Sequence, residues 1–259
     1  IIGGSNSQTH LSLEFLLNSI TSNNLGIVNR VKDSTMKTHS IFVCFFVLAA
    51  NLSINSALEH VPYFEHRDFT FWRPFQVRNS IEQSIAVYSW IRFDGTHSAR
   101  DVDVYAFDVE EPVFVYVESL VPVCPEYEKL LPWFAVVGPG LPPPDYKIPF
   151  RLPPGYGAVV VPNLAPGEPR PTFYEPFGGK SYFQGPTFEA EVDVPGRYYA
   201  VYWDPYQIGG DYVAVLGNKE IWGFIDIIRA LIYTPMIRQG LELHSECPSE
   251  HDQIPLDQY

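Results

Sequence analysis

The sequence predicts an all-β protein: an antiparallel, jelly-roll-like β-sandwich with long Pro/Gly-rich loops and one C-terminal amphipathic helix. Three observations carry this. Short runs of β-branched and aromatic residues alternate with polar ones at a period of two, the pattern of half-buried strands. Between those runs lie 24 prolines and 18 glycines, which interrupt ladders and make turns. Only near the C-terminus does the apolar spacing become helical. A content of 46% hydrophobic and 15% aromatic residues is ample for a core and argues against global disorder.

The elements follow in order. Residues 58–76 are an aromatic, Pro-containing lead-in. Gln83 to Phe93 reads as a strand, and Asp94-Gly95 as a turn. Val102 to Val109 is the clearest strand, with Asp103, Tyr105, Phe107 and Val109 on one face. Pro112 to Leu120 is the next, and the short Glu110-Glu111-Pro112 link makes the two a hairpin. Trp133 to Val137 is a short apolar strand. Residues 138–157 are too Pro-rich for a central strand and read as a long surface loop. Ala158 to Val161 is a strand, and Asn163 to Pro186 a second Pro/Gly-rich excursion. Thr187 to Val194 is a half-buried strand. Pro195-Gly196 turns it back into Arg197–Trp203, and Gly209-Gly210 turns again into Asp211–Leu216. That makes some eight strands. Ile221, Phe224, Ile225, Ile228, Leu231 and Ile232 then recur at helical spacing. They predict a helix over about 220–234, stopped by Pro235, with this stripe buried against the sandwich or a partner. The helix carries three charges and does not read as a transmembrane span; it is a candidate for docking a partner or a membrane surface. Residues 58–241 thus form the sandwich with its helix, and 242–259 an acidic tail.

Met36 to Ala57 has the layout of a secretory signal peptide. A basic start (Lys37, His39) precedes ten apolar residues, Ile41–Ala50, and a polar stretch with small residues allows cleavage after Ser56 or Ala57. Ten apolar residues fall short of the roughly 20 that span a bilayer. The mature chain is then expected to begin near Leu58 and to be secreted or held at the cell surface. Residues 1–35 are read as mistranslated upstream sequence, with Met36 the true start. A genuine, disordered extension is the alternative.

The chain carries a net charge of −13. Arg30, Lys32 and Lys37 against Glu14 and Asp33 leave the first 57 residues at +1, so the remainder stands at −14. Such a charge repels phosphate backbones, and nucleic acid is not an expected partner. With Cys44 in the export segment, Cys124 and Cys247 remain, and in an oxidising compartment they are expected to form one disulfide.

Two stretches carry a family resemblance. Asp101-Val-Asp103-Val-Tyr105-Ala-Phe107-Asp-Val109 is one. Pro195-Gly-Arg-Tyr198-Tyr199-Ala-Val201 followed by Gly209-Gly210-Asp-Tyr212-Val-Ala-Val215 is the other. They resemble the DxDxYxFxV strand and the PGxYYxxV…GGxYxLxV end of bacterial pre-peptidase C-terminal domains. The resemblance implies a secreted, jelly-roll-like, non-catalytic sandwich; some members bind polysaccharide or calcium. This chain departs in its long Pro-rich insertions and in having no attached protease.

Several constellations could carry chemistry. Asp101 and Asp103, at i and i+2 on one strand face, can offer oxygen ligands to a hard cation such as Ca²⁺. They belong to an acidic cluster with Asp108, Glu110 and Glu111, whose plain reading is a solvated strand edge. His60 and His66 with Glu59, Glu65 and Asp68 could hold a transition metal, although their spacing matches no metal motif. Arg170, Phe173, Tyr174, Glu175 and Phe177 form the most distinctive loop. It offers aromatic faces and planar polar groups of the kind that bind sugars, and its plain reading is a loop covering one end of the sandwich. No nucleophile motif such as G-x-S-x-G occurs, so no catalytic residue is assigned. The function expected is a secreted, non-catalytic binding or structural module with a glycan or another protein as its ligand. The alternatives are an extracellular carbohydrate-active hydrolase using a carboxylate pair, and a cell-surface subunit that docks a partner.

Overall fold

Alternating apolar and polar side chains build eleven strands among the residues that the computed structural model describes, 60–92, 101–245 and 247. In chain order they are β1 (Val61–Phe64), β2 (Phe75–Gln76), β3 (Ile85–Ile91), β4 (Asp103–Val109), β5 (Val113–Pro122) and β6 (Trp133–Pro139). Then come β7 (Tyr156–Val161), β8 (Thr172–Glu175), β9 (Lys180–Val192), β10 (Gly196–Trp203) and β11 (Gly210–Leu216), before helix α1 (Phe224–Arg238). Two sheets form a sandwich, one ordered β1-β3-β11-β5-β9-β8 and the other β2-β4-β10-β6-β7. The expectations for residues 1–57, the Asp94-Gly95 turn and most of the 242–259 tail fall outside the described residues.

The all-β sandwich with a C-terminal helix is as the sequence predicts, but its edges are mixed. β1 runs parallel to β3 and β2 parallel to β4, while the other pairings described are antiparallel. The cause is the lead-in: it holds two strands that lie in opposite sheets, so the chain returns to each sheet in the direction it left. The hairpins expected at Glu110–Pro112 and Pro195-Gly196 are not made. β4 and β5 lie in different sheets, as do β9 and β10, and β10 and β11. Alternation identifies a strand's two faces but not its neighbour, and these short links cross the sandwich instead of folding back. A true hairpin, β8 with β9, sits where a Pro/Gly-rich excursion was expected.

The inner faces meet in one core. Tyr105, Phe107 and Val109 of β4 and Tyr198, Ala200 and Tyr202 of β10 pack there with Val87, Val117, Phe134, Tyr212 and Leu216. The outer face of the second sheet is buried too. Ile148, Phe150 and Leu152 of the Pro-rich loop lie over Val104, Ala135, Val137, Ala158, Val201 and Trp203. That loop is therefore a cover. Its prolines keep it out of the ladder while its apolar side chains shield the sheet.

Helix α1 starts and ends later than expected. The Gly223 N–H donates to Asp226 Oδ2 at 3.0 Å at its start. At its end Gly240, at φ +72°, gives its N–H to Ile237 O, and Leu241 gives its N–H to Met236 O, a Schellman close. Pro235 lacks the N–H that would bond the Leu231 carbonyl, yet the helix runs one more turn. The expected stripe does not face the sandwich. Asp226, Ala230 and Ile237 are the buried residues, whereas Ile221, Phe224, Ile225 and Ile232 are exposed. The orientation follows from Asp226: its carboxylate also accepts from Gln83 Nε2 at 3.0 Å and from Arg229 Nη1 at 2.8 Å, which turns that face inward. Phe64 of β1 stacks on Tyr233, with ring centroids 4.4 Å apart, and fixes the helix on the sheet edge. No helix among the described residues is long and apolar enough to cross a membrane.

Cys124 and Cys247 are bonded, with Cα atoms 5.1 Å apart. The segment leading to Cys247 has further anchors. Lys180 pairs with Glu242, and the Asp211 carboxylate accepts from the His244 N–H and pairs with its Nδ1, both at 2.6 Å. His244 also stacks on Trp90.

Candidate metal centre

At the open end of β1 and β4 three carboxylates converge. The inward alternation of Val61 and Tyr63 continues to Glu65, just past β1. Asp103 opens β4 and shares its inner face with Tyr105. Asp68 lies on the link between β1 and β2. One oxygen from each of Glu65, Asp68 and Asp103 lies within 4.8 Å of the others.

Two of the three carboxylates are held by hydrogen bonds from the fold. The Trp90 N–H donates to Glu65 Oε2 at 3.0 Å. The Tyr212 hydroxyl donates to Asp103 Oδ2 at 2.7 Å. Behind it a buried hydroxyl chain joins Tyr212 to Tyr105 at 2.9 Å and Tyr105 to Ser89 at 2.7 Å. Asp101, two residues before Asp103, accepts the Arg92 N–H at 2.6 Å and stands beside the set without joining it.

One oxygen of Asp103, Oδ1, and one of Asp68, Oδ1, are buried with no hydrogen-bond partner. Asp103 is 1% exposed. A buried carboxylate oxygen without a donor is costly, and two in one cluster of acids are more so. Burial, reinforced by the neighbouring acids, pushes Glu65 up to about 7 and Asp103 well above the usual carboxylate range. Asp101 is raised as well, again mainly by burial. Arg92 opposes these effects at Glu65 and Asp101 but does not outweigh them. The arrangement leaves the cluster with two ways to exist near neutral pH: it holds protons or it holds a cation. An all-oxygen set suits a hard cation, Ca²⁺ above all, rather than a transition metal.

The structure distributes the sequence candidates as follows. Asp103 is in the set and Asp101 adjoins it. Asp108, Glu110 and Glu111 lie at the far end of β4 and are exposed. Glu65 and Asp68 join Asp103, and the histidines do not. His60 Nδ1 pairs with Ser84 Oγ, and His66 Nε2 lies 3.4 Å from the Tyr233 hydroxyl. What sequence spacing could not find was the meeting of Glu65 and Asp68 with a strand far along the chain.

The five residues of the 170–179 loop are split. Arg170 donates to the Leu130 carbonyl at 2.9 Å, to Tyr127 O at 3.3 Å and to Glu128 O at 2.5 Å, and its guanidinium lies 3.9 Å over the Phe183 ring. Phe173, Glu175 and Phe177 line a small cavity with His60, Tyr88 and Tyr182 on the outer face of the first sheet. Glu175 there accepts the Phe177 and Gly178 N–H groups at 2.7 and 2.5 Å. Tyr174 alternates to the other side of β8 and is exposed. A separate cleft of about 200 Å³ adjoins the carboxylate cluster through Asp101, with Arg92, Lys147, Trp203, Asp204 and Gln207 in its walls.

No protein-family model matches the chain, and no curated protein matches it in sequence.

Proposed function

We propose that this chain is an exported, non-catalytic sandwich module that binds a hard divalent cation, Ca²⁺ in an extracellular setting, through Glu65, Asp68 and Asp103. The observation that carries this reading is the buried, unpartnered Oδ1 of Asp103, on a residue that meets Glu65 and Asp68 with one oxygen from each within 4.8 Å of the others. A glycosidase pair flanks a sugar from two sides, roughly 5–9.5 Å apart. Three carboxylates converging on one point suit an ion better. Export is supported by the signal-like layout of Met36–Ala57 and by the Cys124–Cys247 bond, which favours an oxidising compartment. The resemblance to pre-peptidase C-terminal domains points the same way, since its motifs fall on β4, β10 and β11.

The cation's role is structural: it ties the link after β1 to the start of β4 and neutralises an end of the core that is otherwise strained by like charge. Thermal unfolding of chelator-stripped protein tests this. Ca²⁺ at about 100 times its Kd should add about 2.7 kcal/mol of stability, a rise of roughly 5–10 °C in Tm for a domain of this size. Asp103→Asn should lose that rise and, without metal, melt no lower than wild type, because it removes a buried acid. If millimolar Ca²⁺, Mg²⁺ and Mn²⁺ all leave the wild-type Tm unchanged, the cluster is a set of proton-sharing acids and the reading fails.

A further inference from the structure

We propose that helix α1 is the two-fold interface of a homodimer. The outward side of this helix is apolar along its whole length. Phe224 and Ile225 are each 69% exposed and Ile232 is 56% exposed. Ile228, Leu231, Pro235 and Met236 fill the same side at helical spacing, and Leu241 extends it past the close. No charged side chain interrupts it. The charges of the helix are engaged by its own chain: Asp226 is buried, Arg229 donates to Asp226 and to the Tyr63 hydroxyl at 3.0 Å, and the exposed Arg238 donates to the Phe177 carbonyl at 3.0 Å.

The exposed apolar area is on the order of 600 Å², counting large side chains at roughly 150–250 Å² each. That is at the upper limit of what a monomer leaves in water. It is most of the roughly 800 Å² that each partner contributes to a standard interface. The missing charge matches the composition of interface cores. A membrane surface fits less well. Helices that lie on lipid carry a fringe of Lys and Arg for the headgroups, whereas both arginines of α1 are engaged by their own chain, and the chain's net charge is −13. A second copy fits because the stripe is apolar at both ends. Laid antiparallel about a two-fold axis, the Phe224/Ile225 end of one helix, about 22 Å long, meets the Ile232/Met236 end of the other, which closes the pair.

Sedimentation equilibrium of the full chain from about 1 to 100 μM tests the proposal, with Ile225→Glu/Ile232→Glu as the variant. Both positions are exposed, so the variant should keep the wild-type Tm under dilute conditions. Wild type should pass from the mass of one chain to that of two over this range. Its association should tighten at least several-fold between 50 and 500 mM NaCl, as salt screens two strongly acidic bodies. The variant should stay monomeric at 100 μM. Wild type that is monomeric at 100 μM, or a dimer that survives in the variant, overturns the proposal. So does monomeric wild type that binds phosphatidylcholine vesicles when the variant does not, which would make the face a lipid-docking surface.

Discussion

Tyr212 on one sheet gives its hydroxyl proton to Oδ2 of Asp103 on the other, 2.7 Å away and wholly inside the sandwich. This bond fixes one oxygen of Asp103, and it ends a buried relay that starts at Ser89. An interior that spends two tyrosines and a serine on one carboxylate is built to hold that carboxylate in place.

Tyr212→Phe removes only the donor. It should destabilise the metal-free protein by about 1–3 kcal/mol, the usual cost of orphaning buried partners, and weaken cation affinity by roughly 10–100-fold, as loss of an outer-shell partner does. Urea unfolding and calorimetric titration of the same preparations read the two effects. A variant equal to wild type in both would separate the hydroxyl relay from the site.

His60 supplies a pH test away from the acids. Burial lowers it from 6.5 to about 4. Below pH 6.5 the unfolded chain takes up a proton that the native ring refuses. Its contribution is therefore intact above pH 6.5 and is lost as pH falls toward 4, by at most about 1.4 kcal/mol per pH unit. In urea melts from pH 7 to 4.5, His60→Gln should lose less stability than wild type. Equal slopes would mean that the folded ring titrates normally.

Arg170→Ala should cost about 2–3 kcal/mol. It removes charge-assisted bonds to the Tyr127, Glu128 and Leu130 carbonyls and the contact over Phe183. Denaturant unfolding measures the loss. A variant that keeps wild-type stability but loses binding in a glycan screen would instead restore the 170–179 hairpin as a ligand site.

Reducing the Cys124–Cys247 bond should lower stability by roughly 3–5 kcal/mol on the loop-entropy account. It should also release the segment that carries His244, visible as new amide exchange at His244, whose N–H donates to Asp211. A Cys124→Ser/Cys247→Ser variant with unchanged urea midpoint would show that Lys180–Glu242 and Asp211–His244 suffice to hold that segment.

The sandwich was legible because residues such as Val104 and Tyr105 announce two faces by simple alternation. Strand neighbours were not: nothing local to Glu110–Pro112 says whether the chain folds back or crosses to the other sheet. Both faces of β4 are buried because a distant loop, Ile148 to Leu152, covers one of them. Which of the two, sandwich or partner, the stripe of α1 faces is not legible for a related reason. Its spacing marks an apolar stripe, but the helix is turned by the needs of one buried carboxylate, Asp226. Of the candidate site, the sequence offered Asp103 for a hard cation with Asp101, and Glu65 and Asp68 for a transition metal with two histidines. Their meeting depends on β1 ending and β4 beginning at the same rim of the sandwich.

The most direct measurement is calorimetric titration of Ca²⁺ into chelator-stripped wild type and Asp103→Asn at pH 7.5. Wild type should bind one ion per chain with release of protons, seen as an observed heat that varies with buffer ionisation enthalpy, since burial holds Glu65 up at about 7 without metal. The variant should bind none. Wild type that takes up no Ca²⁺, or a variant that binds it equally well, would contradict the assignment of Glu65, Asp68 and Asp103 as a cation site.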